Sequence, residues 1–322
     1  MRPELAAWLD ALDGDDAEVV DRLWRPVLRR DAEPEARERA VERLAQGMSR
    51  AALLQELVES AEFARVRTFD DGLALAAAAR RAPRKVRGPA RPRRLEAPAG
   101  SEERFVEIPW VLARYDGEER VLDVGYAFAE PAYLAGLVAL GASGLTGVDL
   151  AEADVPGVRS VVGDVRQLPF EDGSFELVLC ISTLEHVGRD NTVYGLAHEQ
   201  DEEGMDAALR ELRRVLARRG RLLVTVPCGE EEALGSQLQL EPRAWVRRFH
   251  QAGLLVFEDE LYELTPDGWR SVTLLTPGLR YGDRGPGASA VLCAELRRSG
   301  VAERLRVWVR DLRHRREPRR SV

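Results

Sequence analysis

The chain has 322 residues, 45% of them hydrophobic and 32% charged, with a formal net charge of −8. That length suffices for a full core plus a second small unit, and the negative balance argues against nonspecific nucleic-acid binding by the whole molecule. No apolar run approaches membrane-spanning length, and Met1 to Asp10 already carries Arg2, Glu4 and Asp10, so neither a signal peptide nor a span is expected.

The first region shows helical periodicity and no strand-like alternation. Leu23, Trp24, Val27 and Leu28 form one apolar stripe at helical spacing. Val41 and Leu44 follow, Gly47 is a stop signal, Ser49 is an N-cap, and Leu53, Leu54, Leu57 and Val58 carry the next helix. Trp24, Leu28, Arg30, Glu33, Pro34, Leu44, Gly47, Ser49, Ser60, Glu62 and Phe63 match a pattern of aromatic, L-x-R, an acid-proline pair, L-x-x-G-x-S and S-x-E-F. In this the segment resembles a bacterial helical domain of unknown function often found beside glycan-modifying enzymes. The resemblance covers about fifty residues and implies a unit that could recruit a partner.

Residues 80–103 read as a linker. Arg80, Arg81, Arg84, Lys85, Arg87, Arg91, Arg93 and Arg94 stand among Pro83, Pro89 and Pro92 without one acid, and such a composition buries no core. Residues 301–322 are also arginine-rich, with Leu305, Val307, Val309 and Leu312 suggesting a terminal helix. Both charge runs read as solvated tethers, with contact to an acidic membrane surface or a phosphorylated carrier as the functional alternative. The expected division is therefore a helical domain over 1–79, the linker, a catalytic domain over 104–300 and a tail.

The catalytic stretch begins at Arg120 to Leu150, RVLDVGYAFAEPAYLAGLVALGASGLTGVDL. Val121 and Leu122 start a short strand, Asp123 interrupts it, Gly125 opens a turn, Pro131 stands near the start of an apolar helix, and a second strand ends on Asp149. Carboxylates at the tips of two neighbouring parallel strands suit a ligand with hydroxyls and a cation, bound beyond the strands' carboxyl ends. The turn has Gly125, Ala127 and Ala129, so it lacks the G-x-G-x-x-G set of a dinucleotide fingerprint.

A third strand delivers Asp164 before Leu168-Pro169-Phe170. Glu171-Asp172-Gly173-Ser174 is a turn, and Phe175 to Ile181 reads as a strand buried on both faces. Met205, Leu209, Leu212 and Leu216 mark a helix closed by Gly220, and Arg221 to Pro227 is a fifth strand. Trp245 and Phe249 fall on a further helix, with sixth and seventh strands over Leu254 to Leu264 and Ala288 to Leu296. Cys180, Cys228 and Cys293 all lie in or beside these strands with no C-x-x-C pair, and read as reduced core residues of a cytoplasmic protein.

With Asp123, Asp149 and Asp164 in order, D-G-S-F-E-L-V and the ending V-L-A-R-R-G-R-L-L-V-T-V-P, the region resembles the class I S-adenosylmethionine-dependent methyltransferases. The resemblance implies an α/β fold, a seven-stranded Rossmann-like sheet carrying a small N-terminal all-α domain. It implies S-adenosylmethionine as cofactor, S-adenosylhomocysteine as product, and a cofactor site made by Asp123, Gly125, Tyr126, Ala127, Asp149, Leu150, Asp164, Val165, Ile181 and Ser182. Asp164 is the acid that takes the adenine amino group in that family.

His186 follows the fourth strand, where the acceptor sits in this fold, and histidine titrates near neutrality; it is the candidate general base. Glu185 beside it is a candidate to orient the ring or bind the acceptor. Both also read simply as the start of a loop. The string C-I-S-T-L-E-H-V-G, Tyr194 and T-V-P-C-G resemble a bacterial subgroup tied to polysaccharide and glycan synthesis, which implies methylation of a sugar hydroxyl. A natural-product small molecule is an alternative acceptor, and a silent cofactor-binding module an alternative role. Tyr262 and Trp269 are either sugar-stacking aromatics or core. His198, Glu199, Asp201, Glu202 and Glu203 match no metal spacing and read as a solvated acidic loop.

Overall fold

The computed structural model describes residues 14–28, 32–60, 62–63, 95–196 and 200–299. Arg30, the basic run from Arg80 to Arg94, His198, Glu199 and the tail from Val301 lie outside them. Contacts divide the chain into two units, Met1–Asp71 and Gly72–Val322, against an expected break after residue 79.

The first unit contains helices α1 (Asp16–Leu28), α2 (Pro34–Ala45) and α3 (Arg50–Glu59). The stripe is core: Leu23, Trp24 and Leu28 pack with Ala40, Leu44, Leu53, Leu54 and Leu57, and Val27 lies against them. Gly47 ends α2 at a φ of 98°, and the Ser49 hydroxyl accepts the Ala52 N–H as the N-cap of α3.

The second unit is built on a mixed sheet. Its helices are α4 (Arg104–Leu112), α5 (Pro131–Ala139), α6 (Gly204–Val215) and α7 (Pro242–Gln251). Its strands are β1 (Val121–Val124), β2 (Leu145–Asp149), β3 (Arg159–Val162), β4 (Phe175–Ile181), β5 (Leu216–Pro227), β6 (Glu232–Ala233), β7 (Leu238–Gln239), β8 (Leu254–Thr265), β9 (Gly268–Val272) and β10 (Ala290–Arg298). Eight strands run in the order β3-β2-β1-β4-β5-β10-β8-β9, and β6 and β7 form a separate hairpin. The first five pair in parallel, while β10, β8 and β9 join antiparallel. Strand order reverses at β1, between β2 and β4, and the crevice beyond such a switch point is the place a ligand binds in an open α/β sheet.

Three expectations are corrected. The sheet has eight strands instead of seven, because Pro266-Asp267-Gly268 turns the chain back and β9 pairs with β8 from Thr265↔Gly268 to Leu261↔Val272. Helix α6 ends at Val215, not at Gly220: Leu216 is already extended and pairs with Phe175. Gly220 lies within β5, where a Cβ would meet the Glu176 carbonyl oxygen at 3.0 Å, so close approach of backbone explains the glycine. Thirdly, residues 95–103 are not linker. Ala97 forms an antiparallel bridge with Trp269, donating its N–H to and accepting from that residue's backbone, and the Trp269 indole donates to Ser101.

The same contacts bury Trp269 and Tyr262 completely, so neither stacks on an acceptor. Trp245 and Phe249 stack within α7 in the core. The three cysteines are free thiols, all buried. No helix among the described residues is long and apolar enough to cross a membrane.

Candidate active site

β1 ends in a tight turn that the sequence explains atom by atom. Gly125 adopts the left-handed conformation at φ 85°, and a Cβ there would meet Thr183 Oγ1 at 2.4 Å. Thr183 is itself tied by its hydroxyl to the carbonyls of Val124 and Ile181. Tyr126 to Phe128 then make one 3-10 turn, and Ala129 is extended at φ −71°. Neither Ala127 nor Ala129 has a positive φ, so the alanines in the glycine-loop positions cost no backbone strain.

The turn closes over the tips of β1, β2 and β4 to make a cavity of about 230 Å³. Nine of the residues expected at the site line it: Asp123, Gly125, Asp149, Leu150, Asp164, Val165, Ile181, Ser182 and His186. Three do not. Tyr126 is buried beneath the turn, its ring filling the space a Cβ on Gly147 would occupy and its hydroxyl bridging to Ala153. Ala127 contributes only its N–H, donated to Asp149 Oδ2 at 3.1 Å. Glu185 is buried outside the lining, with Oε2 lacking a hydrogen-bond partner.

Each acid sits in a different environment. Asp123 is fully buried and accepts the Tyr133 hydroxyl at 2.5 Å; burial raises its pKa to about 7, the Tyr133 hydrogen bond working against that rise. Asp149 accepts N–H groups from Ala127 and Ala151, and burial lifts it above the ordinary range. Asp164 is held below that range: burial opposes ionisation, but the Arg166 side chain and N–H override it. Behind Asp123 and Ser182, Arg104 of α4 pairs with buried Glu107 at 2.9 Å, and the Ser182 hydroxyl donates to Glu107 at 2.7 Å. Ser182 is the only non-glycine residue with a positive φ among the described residues, at 42°. Its backbone is held there by bonds from its N–H to the carbonyl and hydroxyl of Thr225.

His186 has its Nδ1 2.6 Å from the carbonyl oxygen of Ser236. A carbonyl only accepts, so Nδ1 carries the proton and Nε2 of the neutral ring keeps its lone pair. Burial lowers the pKa of the ring, the Ser236 bond opposing. The ring-orienting role imagined for Glu185 thus belongs to Ser236, on the turn between β6 and β7. Sequence reading also missed Arg104, Phe128, Tyr133, Arg166 and Asn191 as lining residues. Two of them carried a signal: Arg166 stands two residues after Asp164, and Phe128 is an aromatic in the turn itself.

A nucleoside-sulfonium cofactor fits this donor set. Asp149 has lone pairs left for a ribose diol after its backbone bonds, Leu150 offers an exposed apolar face beside it, and Val165 lines the same end. Asp123, buried on the neighbouring strand and raised by burial to about 7, is a group whose carboxylate a nearby cation would favour. Fold and site together suit a nucleoside ligand bound beyond the carboxyl ends of β1, β2 and β4.

Residues 122–224 match the model of a family described as "Methyltransferase domain". A curated relative, the uncharacterized protein MJ0638 of Methanocaldococcus jannaschii, is 37% identical over 68 residues, covering 21% of this chain and 23% of its own length. The chain therefore spans under a quarter of that relative. Among solved structures, the Burkholderia thailandensis 1,6-didemethyltoxoflavin-N1-methyltransferase, bound to its substrate and S-adenosylhomocysteine, is 17% identical with a TM-score of 0.39 over 56% of this chain and 71% of that one. A TehB-like S-adenosylmethionine-dependent methyltransferase from Corynebacterium glutamicum is 20% identical with a TM-score of 0.37, over 60% and 87% respectively.

Proposed function

We propose that the protein transfers a methyl group to a sugar hydroxyl during glycan or polysaccharide synthesis, with His186 as general base. The carrying observation is the ring of His186, locked by Ser236 with Nε2 unprotonated in the wall of the cofactor cavity. When bound, S-adenosylmethionine supplies the electrophilic methyl. Asp149 would hold the ribose hydroxyls, Asp164 the adenine amino group with Leu150 and Val165 flanking it, and Asp123 the cationic end. Gly125, Ile181 and Ser182 shape the wall, with Tyr126 and Ala127 supporting the turn from beneath. His186 Nε2 would take the acceptor's hydroxyl proton, and alignment of the reacting atoms would supply the larger part of the acceleration. Glu185, which burial raises to about 8, would keep its proton near neutrality and support the wall behind His186.

Support for a sugar is the resemblance of the T-L-E-H-V-G segment and of the helical N-terminal unit to glycan-associated proteins. That unit is proposed to recruit a partner of the same machinery, and the cytoplasm is the proposed compartment. A specific observation favours a second reading. Phe128 and Tyr194 line the cavity with ring centroids 5.3 Å apart, both substantially exposed, and such a pair also receives a flat natural-product ring. A methyl-transfer screen over nucleotide sugars, lipid-linked glycans and small phenols decides between them. Turnover on phenols with none on any sugar overturns the first reading.

A further inference from the structure

Arg166 links two parts of the cavity wall that lie far apart in the chain. Asp164 lies at the adenine end, while Asn191, Tyr194 and Leu196 line the cavity from the segment that follows His186. Arg166 reaches both regions. Its Nε donates to both oxygens of Asp164 at 3.0 Å, its Nη2 donates to Oδ2 at 2.5 Å, and its Nη1 donates to Asp201 Oδ2 at 3.1 Å. Asp201 in turn donates its N–H to the Gly188 carbonyl at 2.9 Å, and its Oδ1 accepts the Glu203 N–H at 3.0 Å. Gly188 is a glycine under constraint: its φ is 73°, and a Cβ would lie 2.1 Å from the Asp201 carbonyl oxygen. Segment 188–196 is thus pinned at its base to Asp201, and through Arg166 to Asp164.

The geometry points to Arg166 as a positioning residue that couples cofactor occupancy to the order of the acceptor-side segment 188–196. The inference rests on the proposed contact between Asp164 and the adenine amino group. A carboxylate offers about four lone-pair sites, and three Arg166 N–H groups share those of Asp164, which is still about a third exposed, so one further donor such as adenine can bind without displacing the guanidinium. With Asp164 held from both sides, Arg166 loses rotamer freedom, and so does Asp201. Ordering already present when the second ligand arrives need not be paid for again, and this makes the two sites cooperative without a change of fold.

Amide hydrogen exchange of the full chain, with and without S-adenosylhomocysteine, tests this. In the wild type the product should slow exchange across 188–196 by several-fold, an effect of the size coupling energies allow. Asp201→Asn keeps the cap on Glu203 through its carbonyl but turns Oδ2 into a donor that repels Arg166 Nη1. It should bind S-adenosylhomocysteine within about twofold of wild type in calorimetry yet show no slowing of 188–196, a loss of the coupling alone. Asp201→Glu should restore the slowing in part. Undiminished slowing in Asp201→Asn overturns the coupling, since cofactor and segment then communicate without Arg166. Unchanged affinity in Asp164→Ala overturns the adenine contact itself, and the inference with it.

Discussion

The imidazole of His186 is held by the backbone of Ser236, fifty residues further along the chain, at 2.6 Å. This contact decides which ring nitrogen is basic, and it requires only a carbonyl, so no side chain announces it.

Replacement of His186 by Gln keeps a donor toward Ser236 and removes the basic nitrogen. Turnover should fall by on the order of a hundredfold or more, with affinity for S-adenosylhomocysteine little changed. Burial lowers the ring's pKa, so the acidic limb of the kcat/KM profile should lie below the ordinary histidine value of 6.5. Full turnover in the Gln variant would falsify the base assignment.

Gly125→Ala should weaken cofactor binding and stability together. The residue sits at φ 85°, and a Cβ would press on Thr183, whose hydroxyl holds Val124 and Ile181. Strain of this kind costs about 1–3 kcal/mol, readable as a lower unfolding midpoint in urea. An Ala variant with wild-type stability and affinity would mean that the turn adapts freely. The Ala127 and Ala129 positions, with negative φ, should accept glycine with little change in affinity.

The stability contributed by Asp123 and Glu185 in the ligand-free protein should decline as pH rises from about 4 to 8. Burial lifts Asp123 from 3.8 to about 7 and Glu185 from 4.5 to about 8. Between each ordinary value and its raised value the folded state keeps a proton that the unfolded chain has released, so raising pH favours unfolding. Glu185→Gln removes one such group; its unfolding temperature should exceed wild type at pH 8.5 and approach it at pH 5. A constant difference at both values would show that Glu185 does not titrate in this window.

Binding of S-adenosylmethionine near pH 7 should release a fraction of a proton from Asp123, because a cationic ligand favours the carboxylate. Calorimetry in buffers of different ionisation enthalpy measures the release directly. Asp123→Asn should abolish it, and persistence in that variant would assign the proton to another group.

Tyr194→Ala should raise the acceptor KM while leaving S-adenosylhomocysteine affinity unchanged, since the ring meets Phe128 at 5.3 Å and His186 at 5.5 Å on the wall of the cavity. A change in affinity for the product with no change in KM would move Tyr194 to the cofactor's side.

Much of the frame was legible because its causes are local. Gly125, Asp149 and Asp164 fall at strand tips, which short-range alternation and turn chemistry locate. The expected strand over 254–264 is β8 nearly residue for residue, and that over 288–296 is β10 shifted by two residues at each end. Where reading failed, the reason was a partner distant in sequence. Gly220 looked like a helix stop because spacing cannot show that Phe175 captures Leu216 into β5. Residues 95–103 looked like tether because nothing near them tells that Ala97 will cover the β9 edge. Trp269 and Tyr262 carried chemistry suited to a sugar, but the same edge buried them.

The amino-acid sequence by itself determined the strand-turn-helix order and the placing of the three acids, because backbone propensity, glycine conformation and side-chain chemistry act over a few residues. Only the tertiary structure decided which neighbours each acid and base would have. Asp123 is raised by burial, Asp164 is lowered by Arg166, and the His186 ring is oriented by Ser236, for electric fields and hydrogen bonds depend on distance in space and not along the chain.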